Sequence, residues 1–343
     1  MRAFRVTAPG ALELVELEPP TPGPGEIVLQ VEAALTCGTD LKLFRRGHPK
    51  MPFPTRIGHE FAGRVIAAGE GARFSVGEPV MSVHTAPCGD CFLCEADQEN
   101  LCDEAMRSMT LGGFAEQLLL PAPVVERNAF PKPDHLPYEH AAFLEPLSCC
   151  VQGIQDIGLR AGETVVVLGA GPIGLFHQQL ARAAGASKVV MVGRREPRLQ
   201  AARDLGADLV IDEQAGSREE TVAAVLDATD GRGADVVIEC VGQPEGWELA
   251  IDFARKGGRV LWFGGCKPGT EVRVDTKRVH YDQITLMGIF HFAPRAVAEA
   301  RRLLVEGELD IAAMLSGTMP LDELPQALDL IGRGAGVKYA LLP

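Results

Sequence analysis

The chain has 343 residues, 46% of them hydrophobic and 23% charged, with mean hydropathy near zero and a formal net charge of −13. That length supports about two domains with a full-sized core. The acidic balance argues against a nucleic-acid partner, and no run approaches the ~20 apolar residues of a membrane span.

The opening stretch, MRAFRVTAPGALELVELEPP, lacks the continuous apolar run of a signal peptide, so a cytoplasmic address is expected. Thiols stay reduced there, which makes clustered cysteines more consistent with metal binding than with disulfides. Residues 1–150 read as short strands separated by turns. IVLQVEAAL follows the turn PPTPGPGE, and GHEFAGRVIAAG and EPVMSV follow in the same style, predicting a compact β-rich domain.

Within it, CGDCFLCEADQENLC places Cys88, Cys91, Cys94 and Cys102 in a C-x2-C-x2-C-x7-C pattern. Four thiolates can close a tetrahedral shell around zinc and leave no position for substrate, which predicts a loop clamp rather than a catalyst. An iron–sulfur cluster is the alternative, although the last spacing departs from the short ferredoxin run. Cys37 in TCGTD and His59 in GHE lie 22 residues apart, with Glu60 beside the histidine and Glu145 in FLEPLS. A cysteine, a histidine and a carboxylate with an open position would form a Lewis-acidic zinc site. Spacing alone leaves other roles open: a small buried hydrophobe for Cys37, a core histidine for His59, a helix-start carboxylate for Glu145. His48, in RRGHPKMP, falls on an expected surface loop.

From about residue 151 the texture changes. TVVVLG, KVVMVG, LVID, ADVVIEC, GRVLWFGG and ITLMGIF are apolar runs separated by helical stretches, one of them near 244–256. Buried runs alternating with helices predict a doubly wound parallel sheet over 151–290. Gly169, Gly171 and Gly174, with Pro172 and Ile173 between the last two, form a G-x-G-x-x-G that follows the first run and opens a helix. The first glycine makes the turn, the second lets backbone approach a pyrophosphate, and the third lets helix and strand pack closely. The second run ends in Gly193-Arg194-Arg195, with no acid for a ribose 2′-hydroxyl and two guanidiniums suited to a 2′-phosphate. NADP(H) is therefore expected over NAD(H). The alternative is that the arginines merely begin a helix and Glu196 meets the ribose. Residues 291–343 carry two more helical stretches and a last strand, VKYALLP, expected to rejoin the first domain.

PGPGE (22–26), CGTD (37–40), GHEFAG (58–63), the four-cysteine loop, GGFAEQ (112–117), LEPLS (144–148) and GAGPIG (169–174) occur in the order that resembles zinc-dependent medium-chain dehydrogenases. The likeness is to the alcohol and polyol dehydrogenases, on the sorbitol- and threonine-dehydrogenase-like branch. It implies an α/β chain with a GroES-like β-rich catalytic domain and a Rossmann domain. It implies two zincs: a structural one in the four-cysteine loop, and a catalytic one on Cys37 and His59 with Glu60 or Glu145 as third ligand. Thr39 resembles the hydroxyl of the family's proton relay, and Asp40 the carboxylate that orients the zinc-bound histidine. The implied reaction moves hydride between a secondary or polyol-type alcohol and NADP(H) or NAD(H), in a homodimer or homotetramer.

Leu43 and His291 stand where sorbitol dehydrogenases carry a tyrosine and an arginine, which makes a sugar-derived or less polar secondary alcohol as expected as sorbitol. Phe44, His291 and Phe292 are candidate pocket residues, and Cys149 and Cys150 are read as structural. The rival readings are a non-catalytic NADPH-binding protein, a thiol- or zinc-based redox sensor, and a quinone reductase of the same fold. The last would lack both zinc sets.

Overall fold

A computed structural model describes residues 1–47 and 51–343; His48 lies outside the described residues. The chain forms two compact units. The first comprises Met1–Ser148, His291–Gly307 and Leu315–Pro343, and the second Cys149–Phe290 and Glu308–Met314. Among the described residues, no helix is long and apolar enough to cross a membrane.

The first unit is built around strand Ile27–Leu35, whose β-branched and leucine side chains are almost all buried. Burying each such side chain contributes about 1.5–3 kcal/mol relative to leaving it in water. The strand pairs antiparallel with Phe61–Ala68, with Gln117–Leu120 and with the last strand, Lys338–Leu342. Beyond these lie Pro79–Ser82, Ala129–Pro131 and Leu315–Pro320. This register has a chemical consequence. Leu35 N–H bonds the Glu60 carbonyl at 2.9 Å, and Thr36 N–H bonds the Tyr339 carbonyl at 3.0 Å. One central strand thus brings the segments around Cys37, Glu60 and Lys338 together. VKYALLP contributes Lys338–Leu342 to the sheet of the first unit, whereas Glu308–Met314, also within residues 291–343, falls in the second unit.

The second unit is a six-stranded parallel sheet. Its order is Leu209–Asp212, Lys188–Gly193, Thr164–Leu168, Ala234–Glu239, Ala254–Trp262, Thr285–Gly288. The first strand in sequence sits mid-sheet, and the chain winds outward from it in both directions, as the alternating apolar runs predict. Helix Pro172–Ala183 packs on the sheet with eight of its residues buried, and Ser217 and Glu220 form a reciprocal capping box at the start of Arg218–Ala228.

The helix expected near 244–256 ends earlier, at Phe253, and the next strand begins at once at Ala254. Ala254 already pairs with Ala234, and a register shift before Val236 absorbs the Gly257–Gly258 pair. The outermost strand, Thr285–Gly288, is shorter than the run ITLMGIF suggests.

Candidate metal and dinucleotide sites

Cys37 is the N-cap of helix Gly38–Arg46, and its sulfur accepts from the Thr39 N–H at 3.5 Å. Thr39 is exposed in the first turn, while Asp40 beside it is 2% exposed. Asp40 Oδ1 accepts from the Gly58 N–H at 3.1 Å and faces His59 Nδ1 at 3.2 Å. With Nδ1–H donating to the aspartate, Nε2 is the ring nitrogen that can face a metal. Burial alone would lower the His59 pKa, but Asp40 and Cys37 outweigh it and hold the imidazole well above its ordinary value. Gly58 is required here. Its φ is 94°, and a Cβ would lie 2.6 Å from the Phe114 nitrogen.

Glu60 is fully buried, and its Oε2 forms a close ion pair with Lys338 Nζ. Lys338 also donates to the Thr36 carbonyl at 2.8 Å. Burial would lower the lysine's pKa, but Glu60 raises it above the ordinary range. Glu60 Oε1 is buried with no hydrogen-bond partner among the described residues. Glu145 stands in the first turn of helix Leu144–Ile157 and faces His84 Nδ1 at 3.5 Å. Burial pushes His84 well below its ordinary pKa, with His59 and His291 adding to the effect, so it is neutral.

Ligand atoms of His59, Glu60 and Glu145 lie within 4.8 Å of one another, and so do those of Cys37, Asp40 and His59. Two triads thus share one imidazole. The donor types of these triads, a thiol, an imidazole and carboxylates, one of them with a buried oxygen that lacks a hydrogen-bond partner among the described residues, fit a divalent zinc ion.

The structure brings Cys37, Asp40, His59, Glu60 and Glu145 together, and adds Lys338 and His84. The signal for Lys338 is a lone charge inside the apolar run VKYALL. His84 gives no comparable signal. His291 contacts Thr85 Oγ1 at 2.5 Å and lies edge-on to His84 with centroids 5.4 Å apart. Phe292 packs beside both rings. Leu43 is buried, and Phe44 packs against the apolar core.

The four-cysteine loop is also preassembled. Its sulfurs lie at 3.5 Å (Cys91–Cys94), 3.6 Å (Cys88–Cys102) and 3.9 Å (Cys88–Cys94 and Cys91–Cys102). All four are free thiols. A tetrahedral zinc with ordinary zinc–sulfur bonds sets its sulfurs about 3.8 Å apart, so the cage fits that ion. Burial would raise the Cys102 thiol, but backbone N–H groups aimed at its sulfur bring it down to about 7. Arg127 fixes the loop by donating to the Cys88 carbonyl at 2.9 Å.

In the second unit, Gly169 has φ 113°, and its N–H bonds the Val192 carbonyl at 2.7 Å. Gly171 is the extended N-cap of helix Pro172–Ala183, so Pro172 and Ile173 occupy the first turn. A Cβ on Gly174 would lie 1.9 Å from the Gly169 carbonyl oxygen, so helix and turn could not pack as they do with any larger residue. Beside Gly171 the space is open: the nearest atom to a Cβ there is an Arg198 guanidinium nitrogen, 3.9 Å away. Gly193 ends its strand, Arg194 Nε bonds Glu213 Oε1 at 2.5 Å, and Arg195 adopts φ 72° as N-cap of helix Glu196–Asp204. Glu196, the alternative ribose partner, pairs with Arg203 at 2.6 Å. Sequence inspection missed Arg198 and Glu213 at this edge. Cys150 is buried and Cys149 half-buried in helix Leu144–Ile157.

Residues 23–134 match the alcohol dehydrogenase GroES-like domain family, and residues 172–306 match the zinc-binding dehydrogenase family. The chain is 31% identical to an erythritol/L-threitol dehydrogenase of Mycolicibacterium smegmatis, covering 100% of this chain and 98% of that one. It is 33% identical to an L-threonine 3-dehydrogenase of Pyrococcus horikoshii, again over 100% of this chain and 98% of the relative. Among solved structures, a zinc-binding dehydrogenase from Sinorhizobium meliloti bound to NADP superposes with a TM-score of 0.91. It is 33% identical, with 100% of this chain and 99% of that chain covered. Similarity to dehydrogenases along the whole chain disfavours the readings as a non-catalytic binder or a redox sensor.

Proposed function

The chain belongs to the zinc-dependent medium-chain dehydrogenases, and from that premise we propose that it interconverts a secondary alcohol of the polyol or sugar-derived class with its ketone. The observation that carries this is a pair of ligand triads sharing His59, one with Cys37 and Asp40 and one with Glu60 and Glu145, in which Glu60 Oε1 is buried with no hydrogen-bond partner among the described residues. Zinc would supply Lewis acidity at the carbinol oxygen, and a nicotinamide dinucleotide the hydride acceptor.

Cys37 and His59 hold the metal, and Asp40 fixes the tautomer and aim of His59. Glu145 is the better standing third ligand. Lys338 already neutralises Glu60, whereas the imidazole facing Glu145 is uncharged. Glu60 Oε1 remains available for exchange. Thr39, exposed one helical position from Asp40, moves the alcohol proton outward. The four-cysteine loop holds a second, structural zinc that pins its own segment.

The glycine turn and helix Pro172–Ala183 bind the pyrophosphate, and Arg194, Arg195 and Arg198 favour NADP(H) while leaving NAD(H) usable. His84, His291 and Thr85 give the substrate side a polar wall, which suits a hydroxylated substrate. A homodimer or homotetramer is the proposed assembly.

Metal content per chain, measured with an alcohol panel in NADP and NAD, tests this reading. About two zincs with NADP-linked oxidation of secondary alcohols or polyols is the expected result. Zinc-replete protein that oxidises no member of the panel with either cofactor would sink it.

A further inference from the structure

Strand Lys188–Gly193 ends without an acid, yet an acid reaches its end from the neighbouring strand. Gly193 pairs with Asp212 in the parallel register, and one residue further the Glu213 N–H bonds back to the Gly193 carbonyl at 3.0 Å. Asp212 itself turns away, its Oδ1 accepting from the Gln214 N–H at 2.9 Å. Glu213 instead places its carboxylate on Arg194, with 2.5 Å between Oε1 and Nε. The acid's side chain is 12% exposed and the arginine's 58%, so the carboxylate is the buried partner and the guanidinium the one open to solvent.

This edge touches the dinucleotide turn directly. A Cβ on Gly193 would lie 2.8 Å from the Ala170 Cβ, and Arg198 reaches to within 3.9 Å of where a Cβ on Gly171 would stand. In a doubly wound sheet the end of this strand is where the adenosine ribose is read.

We infer that Glu213 is a cofactor-selectivity residue, a carboxylate delivered from the adjacent strand that opposes binding of a 2′-phosphate. The inference rests on the dinucleotide reading above. Two effects act in the same direction. Glu213 occupies the guanidinium that a 2′-phosphate would otherwise take, and its own charge repels that phosphate. A 2′-hydroxyl meets neither penalty. The arginines draw the chain toward NADP, and Glu213 holds it back, leaving both cofactors usable.

The test uses the full chain with two nucleotide fragments, 2′,5′-ADP and 5′-AMP, titrated calorimetrically at one fixed ionic strength. Glu213→Gln keeps size and backbone contacts while removing the charge. It is expected to tighten 2′,5′-ADP about tenfold and to change 5′-AMP less than about twofold, the scale of one like charge at close range. The kcat/KM ratio of NADP over NAD should rise by a similar factor. Equal changes for both fragments, or no change for either, would overturn the inference while leaving the dinucleotide site intact. Failure of the wild-type chain to bind either fragment would instead overturn the dinucleotide reading, and the inference with it. Should Glu213→Gln not fold, Glu213→Ala carries the test with the same readouts: it must tighten 2′,5′-ADP about tenfold while changing 5′-AMP less than about twofold, and equal changes for both fragments would overturn the assignment.

Discussion

Lys338, on the last strand of the chain, and Glu60, which follows the candidate zinc ligand His59, form an ion pair with both side chains at most 2% exposed. The lysine is held from behind by the Thr36 carbonyl. The carboxylate beside the candidate metal site is therefore charge-balanced by a lysine of the protein itself.

Lys338→Met would leave the Glu60 charge buried without compensation. A loss of about 3–5 kcal/mol in unfolding free energy is expected, because one member of a buried pair is worth far more than the pair itself. Denaturant unfolding of zinc-loaded protein measures it, and the double variant Lys338→Met/Glu60→Gln should recover much of the loss. A single-variant loss below about 1 kcal/mol would mean that Glu60 is neutral in the folded chain.

His59→Ala should abolish turnover while leaving nucleotide affinity within about twofold, since the glycine turn belongs to the other compact unit. Asp40→Asn should act more gently. It keeps the shape but loses the carboxylate that orients His59, and it should weaken zinc affinity about 10–100-fold in competition with a chelator. Unchanged zinc affinity in Asp40→Asn would remove Asp40 from the metal site.

Cys94→Ser should lower the bound zinc by about one per chain and destabilise the 88–102 loop, while the zinc at His59 and nucleotide binding persist. Limited proteolysis within that loop, scored with metal content, distinguishes a clamp from a catalyst. Retention of both zincs in the variant would contradict the four-sulfur assignment.

Glu239 is expected to make the stability of the second unit depend on pH. It is fully buried, and Oε1 accepts from the N–H groups of Val241 at 2.7 Å and Gly242 at 2.9 Å. Burial pushes its carboxyl up to about 7 despite those bonds. A raised folded pKa adds stability that is full below the unfolded carboxylate value and lost as pH rises through about 7. Glu239→Gln, which cannot ionise, should therefore gain on the wild type between about pH 5 and pH 8, by an amount on the order of 3 kcal/mol. Unfolding curves for the two proteins that stay parallel across that window would show that the group does not titrate there.

Much of this was legible in the residues themselves. The parallel sheet followed from six apolar runs whose buried strands cannot alternate polar and apolar positions. The turn at Gly169, Gly171 and Gly174 followed from the strand before it and the helix after it. The four-cysteine cage followed from spacing, because ligands that close in sequence stay close in any compact loop. Cys37, His59 and Glu145 were legible only as members of an ordered motif set, since their spacing admits many geometries. The helix end at Phe253 was misjudged because a strand pairing at Ala254, invisible locally, took the residues that follow.

What the sequence by itself determined is therefore what short-range chemistry controls: strand and helix texture, the glycine turn and the cysteine cluster. The tertiary structure alone decided which distant groups meet. Lys338 reaches Glu60 because two strands flank Ile27–Leu35 in a particular register, and His84 reaches Glu145 from a separate segment. Glu213 reaches Arg194 because parallel pairing sets Gly193 beside Asp212. A search for an acid at the end of one strand could not see an acid supplied by the next, because hydrogen-bond register between strands is a property of the folded sheet and not of either segment.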